Sequence, residues 1–139
     1  MGRVPGVINV DMVAHENVDV VKNLDVFPWP WGDDTVQTIM AQDLFEHLDQ
    51  PVGFMTEAYR VLELGGTLAL RVPHFRHQNA FTDPTHKRFC TPHTWDYWIP
   101  GTELYKRHYP MYGKAAFVMA RQEISAGAIF TDLRKISLQ

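Results

Sequence analysis

Two short apolar runs, TVQTIMA (Thr35 to Ala41) and TLALRVP (Thr67 to Pro73), flank a segment with helical periodicity. Each run is nearly all apolar, as expected of a strand in a parallel sheet covered on both faces. Between them Phe54, Ala58, Val61 and Leu62 fall at i, i+4, i+7 and i+8, the apolar stripe of a helix predicted over Pro51 to Glu63. Asp49 or Gln50 stands where a cap is needed, with Pro51 in the first turn. Gly65-Gly66 is predicted to end the helix, because glycine enters the left-handed conformation cheaply.

The rest of the chain extends this pattern. VINVD (Val7 to Asp11) and VDVVKNL (Val18 to Leu24) read as strands rich in β-branched residues. FPWPWGDD, with two prolines and Gly32-Asp33-Asp34, reads as a loop. From His74 to roughly Tyr112 the chain is polar and aromatic and holds five of the seven histidines. Within it TPHTWDYW is expected to start a short helix, with Thr91 as cap and Pro92 at the first position. Ala116 to Ser125 and Ala128 to Ile136 read as strands. The short Ser125-Ala126-Gly127 connection makes them antiparallel neighbours. The predicted class is α/β: a mostly parallel sheet with a C-terminal antiparallel hairpin.

A length of 139 residues suits one domain, here taken as 1–139. The net charge of −3 gives no electrostatic reason to expect bulk nucleic-acid binding, although His86-Lys87-Arg88 is a local basic patch. One cysteine, Cys90, can form neither an intramolecular disulfide nor a thiolate zinc site, so a reducing cytoplasm is the default. No run approaches the ~18 apolar residues of a membrane span, and the N-terminus lacks the apolar stretch of a signal peptide.

DDTVQTIMAQDLFEHLDQP, EAYRVLELGGTLALRVPH and DPTHKRFCTPHTW resemble class I S-adenosylmethionine-dependent methyltransferases of the small, Rossmann-like type. The likeness runs from about Val7 to Trp98, and the terminal hairpin fits that family's sixth and seventh strands. RVLELGG is moderately specific; with EHL upstream and VPH downstream it becomes strong. Three departures stand out. The family opens with a strand and a glycine-rich turn, and here only Gly2 aligns with the end of that turn. Glu63-Leu64 replace the usual Lys-Pro, and Asn23 stands where the family has an Asp.

The lost strand is central in the family, between the strand ending at Asp11 and that of TVQTIMA. Its loss is expected to leave two half-sheets with unpaired edges, and buried unpaired backbone groups are costly. Either the flanking strands pair directly, or a second chain covers the edge in a homo-oligomer, or the chain is a truncated product of a longer gene. Weaker cofactor binding than in a complete enzyme is the expected consequence.

The resemblance implies S-adenosylmethionine as cofactor and a small-molecule substrate as partner. It implies a transferase, or a catalytically impaired relative acting as a binding or partner subunit. Asp11, with Met12 beside it, ends a strand where open α/β sheets bind ligands, and its carboxylate can accept from ribose hydroxyls. Asn23, Leu24 and Asp25 stand at the adenine edge, and Gln42 and Asp43 beside the methionine portion. His47 and His86 are the candidate catalytic groups, because imidazole titrates near neutrality. Equally, Glu46-His47 can serve to stitch the turn to the next helix. His74, Asp83, His86, Lys87 and Arg88 are the candidate substrate side within the 74–112 segment, the two cations suiting an anionic substrate. His74, His77, Asp83 and His86 match no specific metal spacing, and no metal is expected. The aromatic groups Phe27, Trp29, Trp31 and Trp95, Tyr97, Trp98 read as packing.

Overall fold

The computed structural model describes residues 5–138. They form two sheets. Strands β1 (Val10–Asp11) and β2 (Val20–Val21) pair in parallel as a small two-stranded sheet. The larger sheet has the order β3-β4-β6-β5, built from β3 (Val36–Gln42), β4 (Leu62–Pro73), β5 (Phe117–Ser125) and β6 (Ala128–Lys135). β3 and β4 are parallel, while β4/β6 and β6/β5 are antiparallel. Among the described residues β1 and β3 do not pair with each other. The direct closure considered above is therefore not adopted. Among the described residues the break between the two sheets falls where the resemblance places the family's first strand.

That break explains why the first two strands are shorter than predicted. Each ladder has a partner on one side only, and Val7, Ile8 and Val21 remain half exposed or more. Little apolar burial is left to hold the flanking residues extended.

The C-terminal hairpin forms close to the predicted bounds. Ala126 (φ 50°) and Gly127 (φ 78°) both occupy the left-handed region, as a two-residue type I′ turn requires.

Helix α1 (Pro51–Val61) starts as predicted but stops earlier. Leu62 is already extended, pairing with Val36, and the Thr35 amide donates to the Val61 carbonyl at 2.9 Å. Strand pairing overrides the glycine stop signal. Gly65-Gly66 lie instead within β4, at a slip in its register with β3. A Cβ on Gly66 would stand 2.8 Å from the Glu63 carbonyl oxygen and 3.0 Å from that of Gln37. Both obstacles are backbone and cannot swing aside. Gly66→Ala is expected to cost about 1–3 kcal/mol through overpacking. A urea-melt difference below about 0.5 kcal/mol would show that the strands can part without penalty.

Gln50, the residue before α1, makes no capping bond with its own side chain. The Asp25 carboxylate, distant in sequence, accepts from the amides of Asp49 and Gln50 at 2.9–3.1 Å. After β4 come α2 (Asn79–Thr82), a 3₁₀ turn at Thr94–Trp98 and α3 (Glu103–His108). The helix expected to start at Pro92, with Thr91 as cap, begins two residues later, at Thr94. The Thr91 hydroxyl accepts from the His93 amide at 3.0 Å and shapes the turn before it, rather than capping it.

The core lies between the larger sheet and α1. Phe45, Phe54, Met55, Leu68, Val72, Trp95, Phe117, Ile129 and Leu133 are all buried. Trp29 and Trp98 are buried too, as the packing reading expects. Among the described residues no helix is long and apolar enough to cross a membrane.

Candidate active site

At the C-terminal ends of β3 and β4 lies a cavity of about 580 Å³. Open α/β sheets bind ligands at this edge. Three segments and the hairpin turn line it, and it is broadly open to solvent.

Asp43 follows β3 directly, at φ 55°, a left-handed conformation that Asp tolerates better than most residues. Its amide donates to the Arg71 carbonyl at 2.8 Å, and its carboxylate pairs with the Arg71 guanidinium. The chain then enters a 3₁₀ turn, Phe45–His47. Phe45 is buried against Phe54 and Trp95, so the turn is anchored from below and Glu46 and His47 line the cavity. Arg88 braces the turn from outside, donating to the Phe45 and Leu48 carbonyls with its guanidinium over the Phe45 ring.

Glu46 is only 1% exposed, and neither carboxylate oxygen has a hydrogen-bond partner. Burial pushes its pKa up.

The Asp83-Pro84-Thr85-His86 turn supplies the facing wall. Asp83 accepts from the Thr85 amide at 2.8 Å and the Thr85 hydroxyl at 2.7 Å, which holds its carboxyl below the ordinary pKa. Thr85 Oγ1 is also 3.0 Å from His47 Nδ1. Because the hydroxyl proton goes to Asp83, His47 Nδ1 must be the donor in that contact. His86 Nδ1 lies 2.9 Å from the Ala80 carbonyl, which can only accept, so that nitrogen also carries the proton. In the neutral form of each imidazole these assignments leave Nε2 with the free lone pair. His86 Nε2 is 4.0 Å from Glu46 Oε2 and 3.7 Å from Asp83 Oδ2, and the two imidazole rings meet edge-on at 4.7 Å. Such a pair can accept a proton from a bound group or hold an electrophile.

A family described as a methyltransferase domain matches residues 7–70. Among solved structures, a SAM-dependent methyltransferase from Aquifex aeolicus aligns with TM-score 0.57 and 18% identity, covering 87% of this chain and 56% of that one. A Bacillus halodurans protein described as a methyltransferase aligns with TM-score 0.59 and 16% identity, covering 88% and 74%. This is a class I methyltransferase fold. The same fold carries a [4+2]-cyclase, SpnF, with TM-score 0.57, 16% identity and coverage of 86% and 56%. This chain thus spans little more than half of two of these structures. No curated protein matches the sequence.

On the cofactor side of the methyltransferase fold, Asp11 ends β1 with its carboxylate half exposed. The Val13 amide at 3.3 Å and His15 Nε2 at 3.4 Å lower its pKa and keep it ionised. Met12 is exposed, and Gln42 is the exposed last residue of β3. Asn23 Oδ1 accepts from the Asp25 amide at 2.9 Å, a local turn that already uses the oxygen suggested for adenine. The Leu24 carbonyl accepts from Trp29 Nε1 at 3.2 Å. Asp25 is committed to the entrance of α1. Gly2 lies outside the described residues.

On the substrate side, Asp83 and His86 reach the cavity and three predicted residues do not. His74 Nδ1 accepts from the Arg76 amide at 3.1 Å, and its ring stacks on Phe75. Lys87 pairs with Asp49, and Arg88 is spent on backbone carbonyls. The cation that does line the cavity is Arg71, which sequence reasoning missed. Its signal was a lone charge inside the apolar TLALRVP strand. Glu46 was visible as half of the Glu-His pair, but its burial depends on Phe45 and Trp95 and could not be read locally.

Proposed function

We propose that this chain is the S-adenosylmethionine-dependent methyltransferase unit for a small acceptor that loses a proton as it is methylated. The observation that carries this reading is the cavity at the ends of β3 and β4. It adjoins strands matched by the methyltransferase-domain family, and two imidazoles with free Nε2 lone pairs stand in its wall. S-adenosylmethionine would supply an activated methyl on a sulfonium, so the protein has mainly to hold, align and deprotonate. Asp11 is the candidate for the ribose hydroxyls, and Gln42 and Asp43 for the methionine end. His47 or His86 accepts the acceptor's proton, while the 74–112 segment shapes the substrate side. The open edges of β1 and β3 favour a second reading, a partner subunit that pairs with another copy or another chain at that break.

Calorimetric titration with S-adenosylmethionine and S-adenosylhomocysteine tests the first reading. Micromolar binding is expected, weakened at least tenfold in Asp11→Ala, a loss of about 1.4 kcal/mol. No binding up to millimolar ligand would remove the enzyme reading for this chain and leave the partner-subunit reading.

A further inference from the structure

We propose that Glu46, His47 and His86 form a binding site for one divalent first-row transition-metal ion in the wall of the cavity. The inference goes beyond methyl transfer and does not rest on it.

Three observations converge. One ligand atom from each residue lies within 4.8 Å of the others. Metal bonds of about 2.1 Å put two ligands of one ion at most about 4.2 Å apart. A pair at the 4.8 Å limit has to close by about 0.6 Å to sit on opposite sides of the ion and by about 1.4 Å to reach the ~3.4 Å spacing of tetrahedral ligands, a movement that side-chain rotations can supply. Second, Glu46 is 1% exposed and both its carboxylate oxygens lack a hydrogen-bond partner. Buried charges are ordinarily paired or bound to metal. The His86 Nε2 contact, at 4.0 Å, is too long for a hydrogen bond.

Third, both imidazoles are prepared as ligands. A metal-binding histidine almost always donates its other N–H to an oxygen, which fixes the tautomer and aims the lone pair. His86 does so to the Ala80 carbonyl and His47 to the Thr85 hydroxyl, itself held by Asp83.

Two imidazoles and one carboxylate suit zinc, iron(II), manganese, cobalt or nickel. Three protein ligands leave coordination positions open towards the cavity, where an oxygen of a small molecule can bind. With the ion in place the imidazoles hold metal rather than a proton, and the ion itself acidifies the bound oxygen.

The test uses the chain stripped of metal and titrated with Zn²⁺ alone by calorimetry, then with Co²⁺ followed by visible absorption. One equivalent of Zn²⁺ is expected at micromolar strength or tighter, together with Co²⁺ ligand-field bands. Glu46→Gln and His86→Ala should each weaken Zn²⁺ at least tenfold and abolish those bands. His93→Ala, an exposed imidazole outside the group, should change neither. Glu46→Gln keeps the side-chain shape and removes the carboxylate ligand; if it nevertheless fails to fold, His47→Gln carries the same expectation. Absence of Zn²⁺ binding by the wild-type chain overturns the proposal, as does binding that survives these substitutions. Neither readout involves S-adenosylmethionine, so failure here leaves the methyltransferase reading standing.

Discussion

Arg60→Ala is expected to lower the unfolding free energy by about 3 kcal/mol, the lower end of the range for breaking a buried ion pair, because the guanidinium is partly exposed. Arg60 sits in the last turn of α1 and ties down the FPWPW loop. It pairs with Glu57 on its own helix and with Asp33 at 2.7 Å, and donates to the Trp31 carbonyl at 2.9 Å and the Trp29 carbonyl at 3.3 Å. Glu57 is 7% exposed and accepts the Trp29 amide at 2.6 Å. Removing Arg60 leaves that carboxylate buried with one donor, and two loop carbonyls lose their partner. Arg60→Lys should rescue little, since a single ammonium cannot reproduce the fork that reaches carboxylates and carbonyls together.

The loss should also depend on pH. Burial raises the Glu57 pKa, but the Arg60 and Trp29 hydrogen bonds outweigh it and leave the pKa below its ordinary value of 4.5. A depressed carboxyl contributes stability at neutral pH that disappears as pH falls through its folded-state pKa. The gap between wild type and Arg60→Ala should therefore be full near pH 7 and shrink below about pH 4. Urea melts at both pH values check this. A gap that does not change with pH would mean that Glu57 is not the group left uncompensated.

The same network shows which parts of the site were legible. Glu57 and Arg60 belong to EAYRVLELGG, one of the stretches that carried the family resemblance, and the structure explains their presence by the loop they hold. The hairpin was readable because β-type residues flank a short Ala-Gly turn, both of which are local signals. Gly65-Gly66 misled because a local stop signal competed with the pairing of Leu62 against Val36, which only the tertiary fold supplies. Asp25, Lys87 and Arg88 looked like ligand groups in sequence, yet each is committed to a partner 25 to 43 residues away. His47 and His86 come from segments 39 residues apart and meet only because β3 and β4 run in parallel and deliver both loops to one edge.

The second large effect is expected at Trp95. Its side chain is fully buried, with its ring 5.9 Å from that of Phe45, and its Nε1 has no hydrogen-bond partner. Trp95→Ala should cost about 3–5 kcal/mol, from lost apolar burial and the cavity left behind. Trp95→Phe should cost far less, about 1 kcal/mol or under. It keeps most of the ring contact and removes a buried donor whose desolvation costs about 1–3 kcal/mol when unpaired. The two substitutions thus separate packing from polar satisfaction at one position. The consequence reaches the site, because Phe45 rests on Trp95 and begins the turn that carries Glu46 and His47. Trp95→Phe should keep whatever ligand affinity the wild-type chain has, whereas Trp95→Ala should lose affinity even below its own melting temperature. Equal losses of stability in the two variants would show that the indole N–H is paired after all, through a buried water. Unchanged affinity in Trp95→Ala would show that the turn holds its shape without support from below.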